Sequence, residues 1–251
     1  SRFAVKTEKI PILEDINLTL ESDKVYMLLG PNGSGKSTLA KSIAGDPSLQ
    51  VSAQKAEYLG KNLLSMSAEE RSREGIFLAY QSSPEIEGLN VFTYLKLIYS
   101  KYHQGLSNPH LSAKEFNEIL AQKMSWLGLG LDFKNRDFNV NFSGGERKKM
   151  EILQMLLLEP RLVILDEIDS GVDADRLRII LETLRNYKFK AKEARNPVTL
   201  LFITHNLTLS KKVLADEILV LKNGKIAKKA LSQKEKSDLI EILETKGYEG
   251  I

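Results

Sequence analysis

The 251-residue sequence has no cysteine and only one tryptophan. Without cysteine no disulfide can form, which suits a reducing compartment. No apolar run approaches the roughly 18–20 residues that span a bilayer, so direct membrane insertion is not expected. A secretory signal is also missing, in a sequence that begins at Ser1 rather than Met. Charge of one sign is scarce: 36 basic against 33 acidic residues leave a formal +3. That is too weak a field to imply nucleic acid or a membrane surface as partner. There is no internal repeat and no low-complexity segment. His103 and His110 stand in or near a loop with no paired carboxylate or cysteine beside them, so surface histidines are expected rather than a metal centre. What is present is enough apolar material for a proper core, 42% of residues. The length suits one large domain or a core with a sub-domain.

The most informative stretch is Gly30-Pro31-Asn32-Gly33-Ser34-Gly35-Lys36-Ser37-Thr38. An apolar run, Val25 to Leu29, precedes it and reads as a buried strand. Leu39 to Ala44 follows and reads as a helix ended by Gly45 and Pro47. Gly-x4-Gly-Lys-Ser between a strand and a helix is the phosphate-binding P-loop. Glycines let successive backbone N–H groups turn onto phosphate oxygens, and the helix N-terminus adds its partial positive charge. Lys36 can reach the β- and γ-phosphates, and Ser37 can ligate Mg²⁺.

Upstream, residues 16–20 alternate and predict an antiparallel strand, with another over residues 3–5 and a turn over 21–24. Phe3 is the one aromatic near the first strand, too early to be assigned to adenine. Ser67-Ala68-Glu69-Glu70 has the form of a capping box and predicts a helix to about Glu74. Ile76 to Tyr80 is a strand that delivers Gln81 to its C-terminal end, where open α/β sheets hold their ligands. Gln81 can contact Mg²⁺ or the attacking water there; a polar loop residue is the alternative. Residues 89–135 are a helical insertion, with helices over 91–99 and 112–127 around a loop at 105–109. Trp126 and the tyrosines are expected in the core or at a partner contact.

Ser143 and Glu146 form a second capping box, opening a helix that runs to Leu158 and stops at Pro160. With Gly144 and Gly145 at its start, the bare N–H groups and the Ser143 hydroxyl make an anion site. An ordinary helix cap fits the same residues. Leu162 to Leu165 is a central strand ending in Asp166-Glu167. Asp166 can hold Mg²⁺, and Glu167 is placed to polarise a water for attack on a γ-phosphate. Asp169 to Asp173 is a polar turn before a helix to about Asn186. Residues 187–197, with Lys188, Lys190 and Lys192, read as a solvated connector. Val198 to Thr204 is a strand ending at His205, a γ-phosphate hydrogen-bond donor or a structural histidine. Asn223-Gly224 predicts a type I′ hairpin, and residues 232–245 a closing helix.

In this order, P-loop, Gln81, Ser143-Gly144-Gly145-Glu146, Asp166-Glu167, Asp169 to Asp173 and His205, the chain resembles the ATP-binding-cassette (ABC) ATPases over essentially its whole length. P-loop kinases and small GTPases lack the serine–glycine–glycine signature. The resemblance implies an α/β P-loop NTPase core, a mostly parallel mixed sheet with helices on both faces, plus an antiparallel β subdomain and a helical subdomain. Residues 1–81 and 159–251 would form the core, and 82–158 the helical subdomain ending in the signature helix. It also implies a head-to-tail homodimer closing on two ATP molecules with Mg²⁺. Each nucleotide would lie between the P-loop of one subunit and Ser143 to Gly145 of the other.

Within the family, Glu85-Ile86-x-Gly88, Phe142 to Lys149, Glu151 to Pro160, Asp169-Ser170-Gly171-Val172-Asp173 and Lys246-Gly247-Tyr248 look like the ATPase of the SUF iron–sulfur assembly system. Transporter ATPases more often carry Ser-Ala-Leu-Asp at the aspartate turn. Ser82-Ser83-Pro84 departs from the subfamily's aromatic–proline, whereas Glu146 is usual for it. The implied partners are two related β-helical scaffold proteins. Clusters are held mainly by cysteine thiolates, so a chain without cysteine is not itself the scaffold. The implied setting is the cytoplasm, with a plastid or other organelle stroma as alternative. Two other readings stand beside this one. One is a nucleotide-binding subunit of an ABC membrane transporter. The other is an ATP-gated dimerisation module with little hydrolysis, against which Glu167 and His205 both argue.

Overall fold

The strand leading into the P-loop lies inside the main sheet, with neighbours on both sides. A computed structural model describes residues 3–6, 11–79, 84–103 and 111–251. The strands are β1 (Phe3–Lys6), β2 (Pro11–Ile16), β3 (Val25–Leu29), β4 (Gln50–Ala53), β5 (Glu57–Tyr58), β6 (Lys61–Asn62), β7 (Ile76–Ala79), β8 (Ile86–Asn90), β9 (Asp137–Phe138), β10 (Leu162–Asp166), β11 (Thr199–Thr204), β12 (Glu217–Lys222) and β13 (Lys225–Ala230). The helices are α1 (Lys36–Ala44), α2 (Ala68–Arg73), α3 (Val91–Tyr102), α4 (Ala113–Trp126), α5 (Gly144–Leu158), α6 (Ala174–Glu193), α7 (Leu207–Lys212) and α8 (Gln233–Lys246).

The main sheet has six strands in the order β13-β12-β3-β11-β10-β7. All neighbours are parallel except the β12–β13 hairpin. That hairpin turns through Asn223 and Gly224, both at positive φ (50° and 72°), as a type I′ turn requires. An antiparallel sheet, β2-β1-β4, stands apart. The main sheet is covered on both faces, so its strands are apolar throughout. From β3, Met27 and Leu29 join one buried cluster with Leu95 of α3, Phe116 of α4, Leu153 of α5 and Leu184 of α6. Tyr26 and Leu28 join the other, with Leu39 of α1. The 91–127 helices therefore share a core with the sheet rather than forming a separate one.

Four helices carry complete capping boxes, at Ser67, Ser112, Ser143 and Ser232. Sequence and structure part at four places. The ladder upstream of the P-loop occupies Pro11–Ile16, not 16–20. Leu18 and Leu20 still turn toward the core, so the alternation reports facing without ladder pairing. Residues 187–193 are helix, not connector. Tyr187 is buried with its hydroxyl on the Pro160 carbonyl, and Lys188 and Lys192 both reach Asp23, which carries α6 two turns further. His103 is half-buried, 3.1 Å from the Leu157 carbonyl oxygen, rather than on the surface. The helix after the P-loop starts at Lys36, so Lys36 to Thr38 form its first turn. Tyr80, Gln81, the 105–109 loop and His110 lie outside the described residues. Trp126 is half-buried between the ammonium groups of Lys123 and Lys190.

Candidate active site

The loop after β3 is shaped by three glycines that tolerate no side chain for different reasons. Gly33 and Gly35 have φ of 78° and 101°, a region that favours glycine. A Cβ on Gly30 would lie 2.3 Å from the Leu221 carbonyl oxygen. Lys36 is buried, and its Nζ donates to the carbonyls of Gly30 (2.8 Å) and Pro31 (2.9 Å), crossing the loop it follows. Burial pulls the Lys36 ammonium down from its ordinary value, while Glu167 and Asp166 push it up. The Ser34 hydroxyl is buried with no hydrogen-bond partner among the described residues.

Two parallel strands, β10 and β11, bring the acidic pair and the histidine to one crest, with Asp166 in register with Ile203. Asp166 is only 4% exposed, and its Oδ1 is buried without a partner among the described residues. Burial pushes its carboxyl up from 3.8; Ser37, Lys36 and Lys148 work in the opposite sense, and Glu167 adds to the rise. The next residue, Glu167, sits at φ 52° with its N–H on the Ile203 carbonyl (2.9 Å), which turns the chain off the strand end. Its Oε1 lies 3.1 Å from His205 Nδ1.

The donors fit Mg²⁺. A hydroxyl (Ser37) and a carboxylate (Asp166) with an unpaired oxygen are the hard oxygen ligands this ion takes. No group of three or more His, Cys, Asp or Glu capable of holding a metal occurs among the described residues. An ion that binds through one or two protein oxygens and substrate phosphates needs no such group.

The Ser143 segment opens α5 as a reciprocal cap: Ser143 N–H donates to Glu146 Oε2 (2.7 Å), and Glu146 N–H to Ser143 Oγ (3.3 Å). Both glycines here are packed against neighbours. A Cβ on Gly144 would lie 3.1 Å from the Gly171 carbonyl oxygen, and one on Gly145 would lie 2.5 Å from Arg176 Cδ. The signature tip and the 169–173 turn are therefore one surface.

The profile of the ABC transporter family matches residues 13–170. The chain belongs to this family. As an ABC-family ATPase it binds and hydrolyses a nucleotide. It is 40% identical to the "probable ATP-dependent transporter ycf16" of Cyanophora paradoxa, covering 95% of this chain and 88% of that one. It is 34% identical to the "probable ATP-dependent transporter SufC" of Escherichia coli strain K12, over 97% and 94%. Among solved structures, an ATP-binding subunit of an ABC transporter superposes with a TM-score of 0.75 at 24% identity, covering 95% of this chain and 93% of that one. A dimeric ATP-binding cassette in a post-hydrolysis state with ADP and Pi gives 0.71 at 20%, covering 91% and 98%.

Two features of this ABC ATPase's site escape sequence reading. Thr204 Oγ1 donates to Asp169 (3.2 Å) and accepts from the Asn206 N–H (2.9 Å), tying the aspartate turn to the strand that ends at His205. Arg176 lies across Gly145 and pairs with Asp173 at 3.1 Å. Thr204 carries a weak signal, as the residue before His205. Arg176 carries none, because its contact spans 31 positions of sequence.

Proposed function

We propose that this ATPase uses Mg²⁺ and ATP to drive iron–sulfur cluster assembly on a partner complex of two related β-helical scaffold proteins. It would do so by transient head-to-tail dimerisation. The observation that carries the chemistry is the buried Asp166 carboxylate with one unpartnered oxygen, next to Glu167 and its hydrogen-bonded His205. The Gly30 to Thr38 loop binds the phosphates, with Lys36 turning from the Gly30 and Pro31 carbonyls to the phosphoryl oxygens. Ser37, Asp166 and Gln81 would hold Mg²⁺, which supplies charge neutralisation between phosphate oxygens when bound. Glu167 takes a proton from the attacking water onto its carboxylate. His205 orients that carboxylate and donates toward the γ-phosphate. Ser143, Gly144 and Gly145 of the opposite subunit close the site, because a helix N-terminus favours an anion. That a cassette of the same fold is dimeric with ADP and Pi supports dimerisation.

The SUF assignment is supported by the Asp169-Ser170-Gly171-Val172-Asp173 turn and by identity to the SufC protein over nearly the full chain. Residues 82–158 would act as the helical subdomain, moved by closure of the core formed by 1–81 and 159–251. A transporter subunit is the second reading, favoured by the word "transporter" in the relatives' names. Among the described residues no helix is long and apolar enough to cross a membrane, which leaves both readings standing. The deciding experiment is affinity purification of a Glu167→Gln chain from native cells with ATP. Recovery of a soluble scaffold pair supports the proposal; recovery of a polytopic membrane protein in its place overturns it.

A further inference from the structure

The Lys246-Gly247-Tyr248 motif has no part in the chemistry above, yet it ends under the phosphate loop. After α8, Gly247 (φ 63°) turns the chain into a short helical turn over 247–250. Lys222, the last residue of β12, donates from Nζ to the backbone oxygens of Tyr248 (2.8 Å) and Ile251 (3.0 Å). The Tyr248 hydroxyl is buried beside the backbone of Gly30 and makes no hydrogen bond among the described residues, so the side chain acts there by packing. Both ends of the loop are held on this same hairpin. Gly30 lies so close to the Leu221 carbonyl that a Cβ would come within 2.3 Å of it. The Gly224 N–H donates to the Ser34 carbonyl at 3.2 Å, and the Gly224 carbonyl accepts from Glu14 N–H at 2.9 Å.

A glycine-rich loop loses more backbone freedom on ordering than other sequences do. Phosphate binding by backbone N–H groups is therefore only as good as the supports that hold the loop in shape. Here the supports are the β12–β13 turn and, behind it, the 247–250 turn. We infer that the 247–251 segment is a brace for the phosphate loop, with Tyr248 and Lys222 as positioning residues for nucleotide binding. Tyr248 fills the space beside Gly30. Lys222 fastens the end of β12, where Gly30 packs on Leu221, just before the turn whose Gly224 N–H holds the Ser34 carbonyl. Neither side chain touches the nucleotide.

The inference rests on the family's ATP binding, which the unsubstituted chain tests separately. Tyr248→Ala removes the ring packed beside Gly30; Lys222→Met keeps the stem and removes the ammonium. For each, ATP affinity is measured by calorimetric titration, kcat and KM by phosphate release, and exchange of the loop amides by hydrogen–deuterium exchange. The expected result is a Kd and KM for ATP raised about five- to tenfold, the size of the one or two hydrogen bonds lost with the Lys222 ammonium, and a rise of the same order on loss of the Tyr248 packing. The same variants should show faster exchange over residues 30–35 and a kcat within about twofold, since no group in the chemical step is touched. Unchanged Kd and loop exchange in both variants overturn the brace, whatever happens to the melting temperature. So does a lowered kcat at unchanged Kd. If the unsubstituted chain itself fails to bind ATP, the ATPase reading falls instead.

Discussion

His205 Nδ1 lies 3.1 Å from Glu167 Oε1, joining the ends of two adjacent parallel strands by a side-chain contact. Glu167 is 13% exposed and His205 47%, so the imidazole covers the carboxylate from the solvent side. The backbone on either side of the pair is anchored, with the Glu167 N–H on Ile203 and the Asn206 N–H on Thr204.

Glu167→Gln should therefore lower kcat by about 10²–10⁴, the range for loss of a positioned base, while ATP binding persists. His205→Ala leaves the carboxylate in place but unoriented and should cost less. Single-turnover hydrolysis with a parallel nucleotide-binding titration checks both. Full turnover by the glutamine variant would remove the base assignment.

Asp166 sets stability against function. Its carboxyl titrates above the unfolded value of 3.8 because it is buried. The folded chain then holds this proton more tightly than the unfolded one. Stability from this group is greatest at acid pH and falls as pH rises from 3.8 through the raised value. At neutral pH the ionised group is a net cost. Asp166→Asn should raise the melting temperature, by about 2–4 °C for each kcal/mol relieved, and make the stability curve flatter with pH. It should also depress Mg²⁺-dependent hydrolysis by at least about 10²-fold. Calorimetry at several pH values and a phosphate-release assay read the two effects.

Arg71 is buried, and its guanidinium donates only to carbonyls: Met66 (3.1 Å), Leu63, and Ser42 (2.7 Å) and Ile43 (3.0 Å) at the C-terminal end of α1. It closes the end of the helix whose other end carries Lys36. Arg71→Met leaves these carbonyls unpaired and should destabilise the chain by about 1–3 kcal/mol. Urea unfolding measures this; an unchanged midpoint would show that water replaces the guanidinium without loss.

Gly145 and Arg176 should behave as a coupled pair. Gly145→Ala puts a methyl 2.5 Å from Arg176 Cδ, so the exposed arginine must swing away from Asp173 to make room, at a cost of less than about 1 kcal/mol. Arg176→Ala alone gives up an exposed ion pair with Asp173, worth less than about 1 kcal/mol. The double variant should lose no more stability than either single one. Additive losses in a double-mutant unfolding cycle would show that Gly145 is constrained by something else.

Much of this arrangement was legible because it is local. The capping boxes at Ser67 and Ser143 are spelled by residues three apart, and the P-loop by nine consecutive ones. The shared crest of Asp166 and His205 was legible because apolar runs ending in polar residues mark strand ends. Contacts between distant segments were not. Nothing near Asn186 announces that α6 continues, since its extension depends on Asp23, more than 160 positions upstream. Arg71 looks like any helix-surface arginine until its carbonyl partners at 42, 43, 63 and 66 are in place. The strand upstream of the P-loop was placed too late because facing alternates through residue 20, whereas ladder pairing stops at Ile16.

One of the two border strands of the main sheet, β13, reads Lys-Ile-Ala-Lys-Lys-Ala, three lysines in six residues. Lysines on a sheet border discourage another chain from adding its own strand there. Copies of this protein crowded together are thus steered away from fibril-like growth along that margin.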